Sequence, residues 1–146
     1  MQNNPLDPPI NSTGFSKGTH YTPIPNFVIS TLLSSVDSSK EIKVTLAAFW
    51  LIHQKKGLRR FITIAEIIAK TTLARSFASP DIARDELLSA LFSAVSTGTL
   101  ISLPIHNNRV VETLFFINDS AGKKALEAVK NESQTVNDVP ANSTGP

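Results

Sequence analysis

The chain has 146 residues, of which 41% are apolar, and its 14 basic and 12 acidic side chains give a formal net charge of +2. This length and composition predict one globular domain with one modest core, and so small a net charge does not by itself predict a nucleic-acid-binding protein. Because the sequence contains no cysteine, disulfides, thiolate metal sites and cysteine nucleophiles are excluded.

The sequence also predicts the cellular compartment of the protein and the limits of its domain. The N-terminal stretch lacks the basic and apolar segments of a signal peptide, and the longest apolar run, Leu46 to Ile52, is far shorter than the roughly 20 residues of a membrane span. We therefore expect a cytoplasmic protein without a membrane partner. Residues 1–20 and 131–146 are rich in Asn, Ser, Thr and Pro, which predicts two disordered ends around a domain at 21–130.

Two helices are predicted in the first part of the domain. Pro25 suits the first turn of a helix that ends near Asp37. Ser38 and Glu41 then form the pattern of a capping box, in which the serine accepts a first-turn amide and the glutamate reaches back to the cap's own amide. The second helix has apolar residues on nearly every face, which predicts a central position, and Gly57 is a natural stop after the residues HQKK.

A short strand and two more helices are predicted next. The residues RFIT are long enough for one short strand, and Thr63 with Glu66 repeats the capping-box pattern at the start of a third helix. The residues SPD supply a cap serine, a first-position proline and a first-turn acid for a fourth helix, which Gly98 ends. The link between these two helices, TTLARSFAS, is longer than a usual tight turn.

The last elements predict the fold class. The segments TLISLPI and RVVETLFFI alternate like strands around HNN, which predicts a hairpin, and a short helix follows over about 120–130. The predicted elements follow the order of a winged-helix domain: helix, helix, strand, helix, helix, hairpin and helix. The predicted fold is therefore α+β, mainly α: a winged helix-turn-helix whose wing hairpin belongs to a small antiparallel sheet.

Three segments, YTPIPNF, EIKVTLAAFWLIHQKKGLRRFIT and AVSTGTLISL, resemble the N-terminal winged-helix domain of DnaD-type bacterial replication-initiation proteins over about residues 21–117. The shared pattern is a proline pair before the first helix, a Leu- and Trp-rich second helix with a basic end, and a helix that closes in Gly-x-Leu before the wing. The resemblance implies a primosome-class domain that acts in helicase loading, remodels DNA, contacts replication proteins and self-associates as a homodimer or higher oligomer. It implies no catalysis.

Four cations near the end of the second helix are the main candidates for a functional site. Phosphate attracts Lys and Arg whatever the base sequence, so this group predicts a contact with the DNA backbone. The two lysines also have a structural explanation, because cations at a helix end compensate its dipole. The arginines lack that explanation and are the stronger candidates. We call these residues the basic cluster: Lys55, Lys56, Arg59 and Arg60.

Two further arginines complete the predicted DNA surface. Arg109 lies at the wing tip, within reach of a minor groove, although a lone turn arginine is also commonly solvated. Arg84 lies in the fourth helix, which enters the major groove in this architecture, but the neighbouring Asp81, Asp85 and Glu86 repel phosphate. We therefore expect non-specific binding by cations that share one surface. Alternatively, the acidic face pairs with a basic patch on another protomer.

Catalysis, metal binding and base stacking are not predicted. The sequence has no glycine-rich phosphate loop and no nucleophile elbow, and His20, His53 and His106 lack the spacing of metal ligands, so we expect no enzyme activity, metal or cofactor. A base-stacking platform needs exposed aromatic side chains in a group. The aromatic residues of the apolar helices are instead predicted to lie in the core: Phe49, Trp50 and Phe92.

The sequence is compatible with three functions. The leading hypothesis is a winged-helix module with modest, mostly non-specific DNA affinity through the basic cluster and Arg109, acting in replication or a related DNA transaction. The second is a protein-interaction or oligomerisation module that docks through the first helix, the N-terminal arm or the last helix and binds no nucleic acid. The third, a transcriptional regulator with sequence preference, ranks lower because the fourth helix is acidic.

Overall fold

The structure, a computed structural model, describes residues 14–144, with side chains described through residue 132. A short 3₁₀ helix (Leu73–Ser76) fills the long link between the third and fourth helices and packs half-buried apolar side chains on the core. The regular elements are α1 (Asn26–Ser34), α2 (Ser39–His53), α3 (Ile64–Lys70), α4 (Pro80–Ser96), β1 (Leu100–Asn107), β2 (Val110–Ile117) and α5 (Ser120–Thr144).

Side-chain caps set the starts of α2, α3 and α4 at the predicted residues. The cap bonds run from the amide of Glu41 to Ser38, from that of Glu66 to Thr63 and from that of Ile82 to Ser79, at 3.3, 3.3 and 3.2 Å. The return bonds of the two predicted capping boxes do not form within the described residues, and the carboxylate of Glu66 bonds Lys55 instead. Partial burial raises the pKa of the Glu41 carboxyl above its ordinary value.

The end of α2 differs from the prediction. The helix stops at His53, and the chain then turns through Gly57, whose φ is +83°. The amides of Gln54 and Lys55 bond carbonyls three residues back, which tightens the end of the helix. The prediction that Lys55 and Lys56 form the last helical turn is therefore wrong, since both lie in the turn that follows.

The two strands form the predicted hairpin. They pair antiparallel, with Leu100 opposite Ile117 at the base of the hairpin. Asn108 and Arg109 make the turn with φ values of 51° and 71°, which is the geometry of the tightest hairpin connections. The wing is thus present, with its tip at Asn108 and Arg109.

The predicted strand at RFIT is a single bridge. Ile62 and Phe115 exchange two backbone hydrogen bonds of 2.9 Å, and the chain leaves the sheet at once because Thr63 already caps α3. This bridge places β2 between Ile62 and β1. The fold is therefore α+β, mainly α, a winged helix with a small antiparallel sheet, as predicted.

Both faces of the hairpin are covered near its base, whereas its outer half is exposed. On one face Phe115 and Ile117 join the main core, which α1 to α4 build. On the other face Leu114 and Phe116 pack with Ala125 of α5 in a second apolar cluster. Alternate residues of one strand thus serve two cores, which is what the period of a strand dictates.

Two of the three aromatic residues predicted for the core reach the surface. Phe49 is fully buried. Trp50 is half-buried and lines surface grooves, and Phe92 is exposed while its ring contacts that of Phe115 edge to face at 5.3 Å. The prediction is therefore wrong for the outer part of Trp50 and for Phe92, because α2 and α4 each keep one side open to solvent.

The sequence predicts that the domain begins at residue 21 and ends at residue 130. Most of the N-terminal arm, residues 1–13, lies outside the described residues. The last helix was expected to end near residue 130, but α5 continues to Thr144 and so covers most of the segment predicted as a tail. No helix in the described part of the chain combines the length and the apolar character needed to cross a bilayer.

Candidate nucleic-acid interface

Lys55, the first residue of the basic cluster, is held in an ion pair. Its Nζ lies 2.7 and 2.8 Å from the two carboxylate oxygens of Glu66 in α3, and these side chains are only 26% and 23% exposed. The same Nζ lies 5.4 Å from the centre of the Phe61 ring, within cation–π range. A phosphate would have to displace the carboxylate, so Lys55 is a poor phosphate ligand in this arrangement.

Arg59 also has a carboxylate partner. Its guanidinium pairs with Glu132 of α5. Both side chains are exposed, so solvent weakens the pair, and the contact ties the loop after α2 to the last helix. The sequence shows no helix-end role for Arg59, and the structure gives it a different contact, with a carboxylate of α5.

Lys56 and Arg60 carry the unpaired charge of the basic cluster. Both side chains are exposed, and neither forms an ion pair with any described residue. Nε of Arg60 donates to the carbonyl of Gly57 at 3.1 Å, which orients the guanidinium. Lys56 lines a groove that includes His53, and Arg60 lines a small cleft between His53 and the base of the hairpin. These two cations are the members of the cluster free to meet phosphate.

A groove opens where the N-terminal segment passes the end of α2. Its volume is about 590 Å³, and no acidic residue lines it. Nδ1 of His53 lies 2.9 Å from the carbonyl of Phe49, and because a carbonyl only accepts, Nδ1 is the donor. We call this the α2-end groove, and the side chains that line it include those of His20, Tyr21, Trp50, His53, Gln54 and Lys56.

The sequence interpretation missed this groove. Tyr21 belongs to the segment before α1 and Trp50 to α2, so no local spacing relates the two rings. The available signal was the apolar but surface-facing side of α2, together with Tyr21 two residues before the first proline of the pair. The structure thus places one exposed and one half-buried aromatic side chain on the same groove, a pairing that the sequence did not predict.

A second groove, of about 480 Å³, separates α3 and α4 from the outer half of the hairpin. Arg84 lines it together with Asn107 and Asn108 of the wing, and Arg109 follows directly in the turn. Arg84 and Arg109 are exposed and form no ion pair within the described range. Glu112 also lines this groove, so its charge is mixed.

The start of α4 is acidic, as the sequence indicates. Asp81 and Asp85 are exposed and have no cationic partner among residues 14–132, whereas Glu86 pairs with Lys40 of α2. Two uncompensated carboxylates on this helix repel phosphate and accept rather than donate hydrogen bonds. The surface of α4 is therefore unsuited to lie deep in a major groove.

The six predicted DNA-binding residues do not form one patch. Lys56 and Arg60 lie near the base of the hairpin, and Arg84 and Arg109 lie near its tip. The ends of the eight-residue strand β2 are about 23 Å apart at about 3.3 Å per residue. The predicted residues therefore comprise two pairs of unpartnered cations about one strand length apart, whereas Lys55 and Arg59 are paired with carboxylates.

No group of three or more metal-ligating side chains is found in the described part of the chain. Comparison of the chain with protein-family models, with curated proteins and with solved structures finds no match.

Proposed function

We propose that this protein is a winged-helix module that binds DNA through the phosphate backbone, with modest affinity and little sequence preference. One observation carries the proposal: four of the exposed cations that have no carboxylate partner among the described residues flank a wing hairpin at its base and its tip. These residues are Lys56, Arg60, Arg84 and Arg109.

The charges of α4 support binding without base reading. Asp81 and Asp85 oppose insertion of this helix into a major groove, so the duplex lies along the hairpin side of the domain. Four phosphate contacts are few for a DNA-binding protein, and we expect a dissociation constant on the order of 10⁻⁵ M at moderate salt. This range is that of non-specific binding.

The experiment compares two double variants of the full chain. Lys56→Gln with Arg60→Gln removes free cations, whereas Lys55→Gln with Arg59→Gln removes the same charge from cations that already have partners. Fluorescence anisotropy with a short labelled duplex is expected to give about tenfold weaker binding for the first variant, or about 1.4 kcal/mol, and less than about threefold for the second. Equal losses, or no binding by the wild type at low salt, would contradict the proposal.

A role in replication initiation is a further part of this proposal. It is supported by the three segments that resemble DnaD-type domains. Genes for a helicase or a primase beside the gene for this chain would strengthen it, and the DNA-binding proposal does not depend on it.

Self-association is the second candidate function, and the outer face of α1 favours it. Val28 and Leu32 hold the inner face in the core, while Ile29 and Leu33, four residues apart and so on one side of the helix, are exposed, with 83% of Leu33 accessible. Large apolar side chains gathered on one exposed helix face are typical of an interaction surface. Light scattering at micromolar concentration is expected to give twice the 15.8 kDa of one chain. A monomer at that concentration would contradict self-association.

A further inference from the structure

We propose that the α2-end groove binds a nucleobase together with its phosphate, as a segment of single-stranded nucleic acid. The inference rests on the proposed function in one respect, because Lys56 serves as a phosphate ligand in both. It goes further in adding aromatic stacking, which binding of an intact duplex does not use.

The aromatic side chains of the groove suit a flat ligand. Tyr21 is 79% exposed, and Trp50 is half-buried, so both rings keep surface open to the groove. A volume of about 590 Å³ lies within the range of roughly 300–1,000 Å³ that small-molecule sites occupy. Aromatic rings bind nucleobases by stacking, whatever the base, because every base has a π face.

The polar side chains of the groove suit the edge of a base and an anion. Nε2 of His53 is an acceptor when the ring is neutral, and Gln54 offers both a donor and an acceptor. Lys56 supplies a positive charge that no described carboxylate offsets, and no acidic side chain lines the groove. The groove therefore favours a planar ligand that carries negative charge.

Two observations favour a single strand over the other carriers of a base and a phosphate. In a duplex the bases stack on each other and their faces are not available to Tyr21 and Trp50. A free nucleotide would use Lys56 alone, whereas Arg60 lines the neighbouring cleft, which shares His53 with the groove, and would meet the next phosphate of a strand that leaves the groove. Stacking platforms bordered by cations are how proteins bind single strands without sequence preference.

Trp50 is the single tryptophan of the chain, so its fluorescence reports on the groove directly. The full chain is titrated with an oligothymidylate of about ten nucleotides, a length within the usual range of single-strand sites, and separately with thymidine monophosphate. We expect saturable quenching by the oligonucleotide and at least about tenfold weaker binding of the mononucleotide, which equals about 1.4 kcal/mol. Equal dissociation constants for the oligonucleotide and the mononucleotide would assign the groove to free nucleotides and would contradict the binding of a single strand.

Tyr21→Ala tests the stacking, and Phe27→Ala is its matched control, because Phe27 is also an exposed aromatic residue but lies on α1. Tyr21→Ala is expected to weaken oligonucleotide binding about tenfold and to leave duplex binding unchanged, and Phe27→Ala is expected to change neither. Duplex binding without quenching by the oligonucleotide overturns this inference and leaves the proposed function standing. Quenching by the oligonucleotide without duplex binding supports this inference and contradicts the proposed duplex binding.

Discussion

Arg109 occupies a backbone conformation that suits glycine better than arginine. Its φ is +71°, and the preceding Asn108 has a φ of +51°. Tight hairpin turns with two such residues favour the pair Asn-Gly, because an L residue in the left-handed region costs about 1–2 kcal/mol. Backbone strain of this kind is common at functional positions, and Arg109 also carries a charge that no described carboxylate pairs with.

Replacement of Arg109 separates strain from charge. Arg109→Gly is expected to raise the free energy of unfolding by about 1 kcal/mol, since the turn relaxes, and to weaken duplex binding. Arg109→Gln keeps the strain, so it is expected to weaken duplex binding with unchanged stability. Urea denaturation and anisotropy measure the two effects. If both variants bind duplex as well as the wild type, Arg109 is only a solvated turn residue.

The cations of the candidate site were identifiable in the sequence, but their environments were not. A run of Lys and Arg is visible in the letters, whereas the partners Glu66 and Glu132 come from α3 and α5. That Tyr21 and Trp50 line the same groove likewise depends on how the N-terminal segment passes α2. Long-range packing decides which charges stay free and which rings stay open, and no local spacing encodes it.

At the scale of elements, the junction between the hairpin and α5 allows no side chain at Gly122. The carboxylate of Asp119 accepts a hydrogen bond of 2.7 Å from the amide of Gly122 and so caps the start of α5. A Cβ at Gly122 would overlap the backbone carbonyl of Ile117. This close approach lets α5 lie on the outer face of the hairpin.

Gly122→Ala is therefore expected to lower the free energy of unfolding by about 1–3 kcal/mol, since the junction has to open to admit a methyl group. Gly18→Ala is the control, because nothing lies within 4 Å of a Cβ at Gly18. Urea denaturation of the two variants measures the difference. Equal stability of the two would mean that α5 does not dock at this junction.

Helix starts were predictable from the sequence because caps are local. Ser38, Thr63 and Ser79 each bond an amide three residues on, so a few letters contain the whole signal. Ends were less predictable. After α2 the chain turns early and brings Lys55 to Glu66, and at Ile62 the strand shortens to one bridge because α3 starts immediately.

At the scale of the whole molecule, the order of elements was enough to predict the fold, because few architectures accept a central apolar helix, two capped helices and a hairpin in that order. The distribution of charge was not predictable in the same way. Free cations flank the hairpin at its base and tip, and free carboxylates cover the start of α4. A net charge of +2 hides this separation.

The most direct test of phosphate binding by these free cations is the salt dependence of duplex affinity. Each neutralised phosphate contributes about 0.9 to the slope of log affinity against log salt, so four contacts predict a slope of about −3.6 for the wild type. The Lys56→Gln and Arg60→Gln double variant is expected to give about −1.8. A wild-type slope near zero, or a slope that the double variant leaves unchanged, would contradict the account.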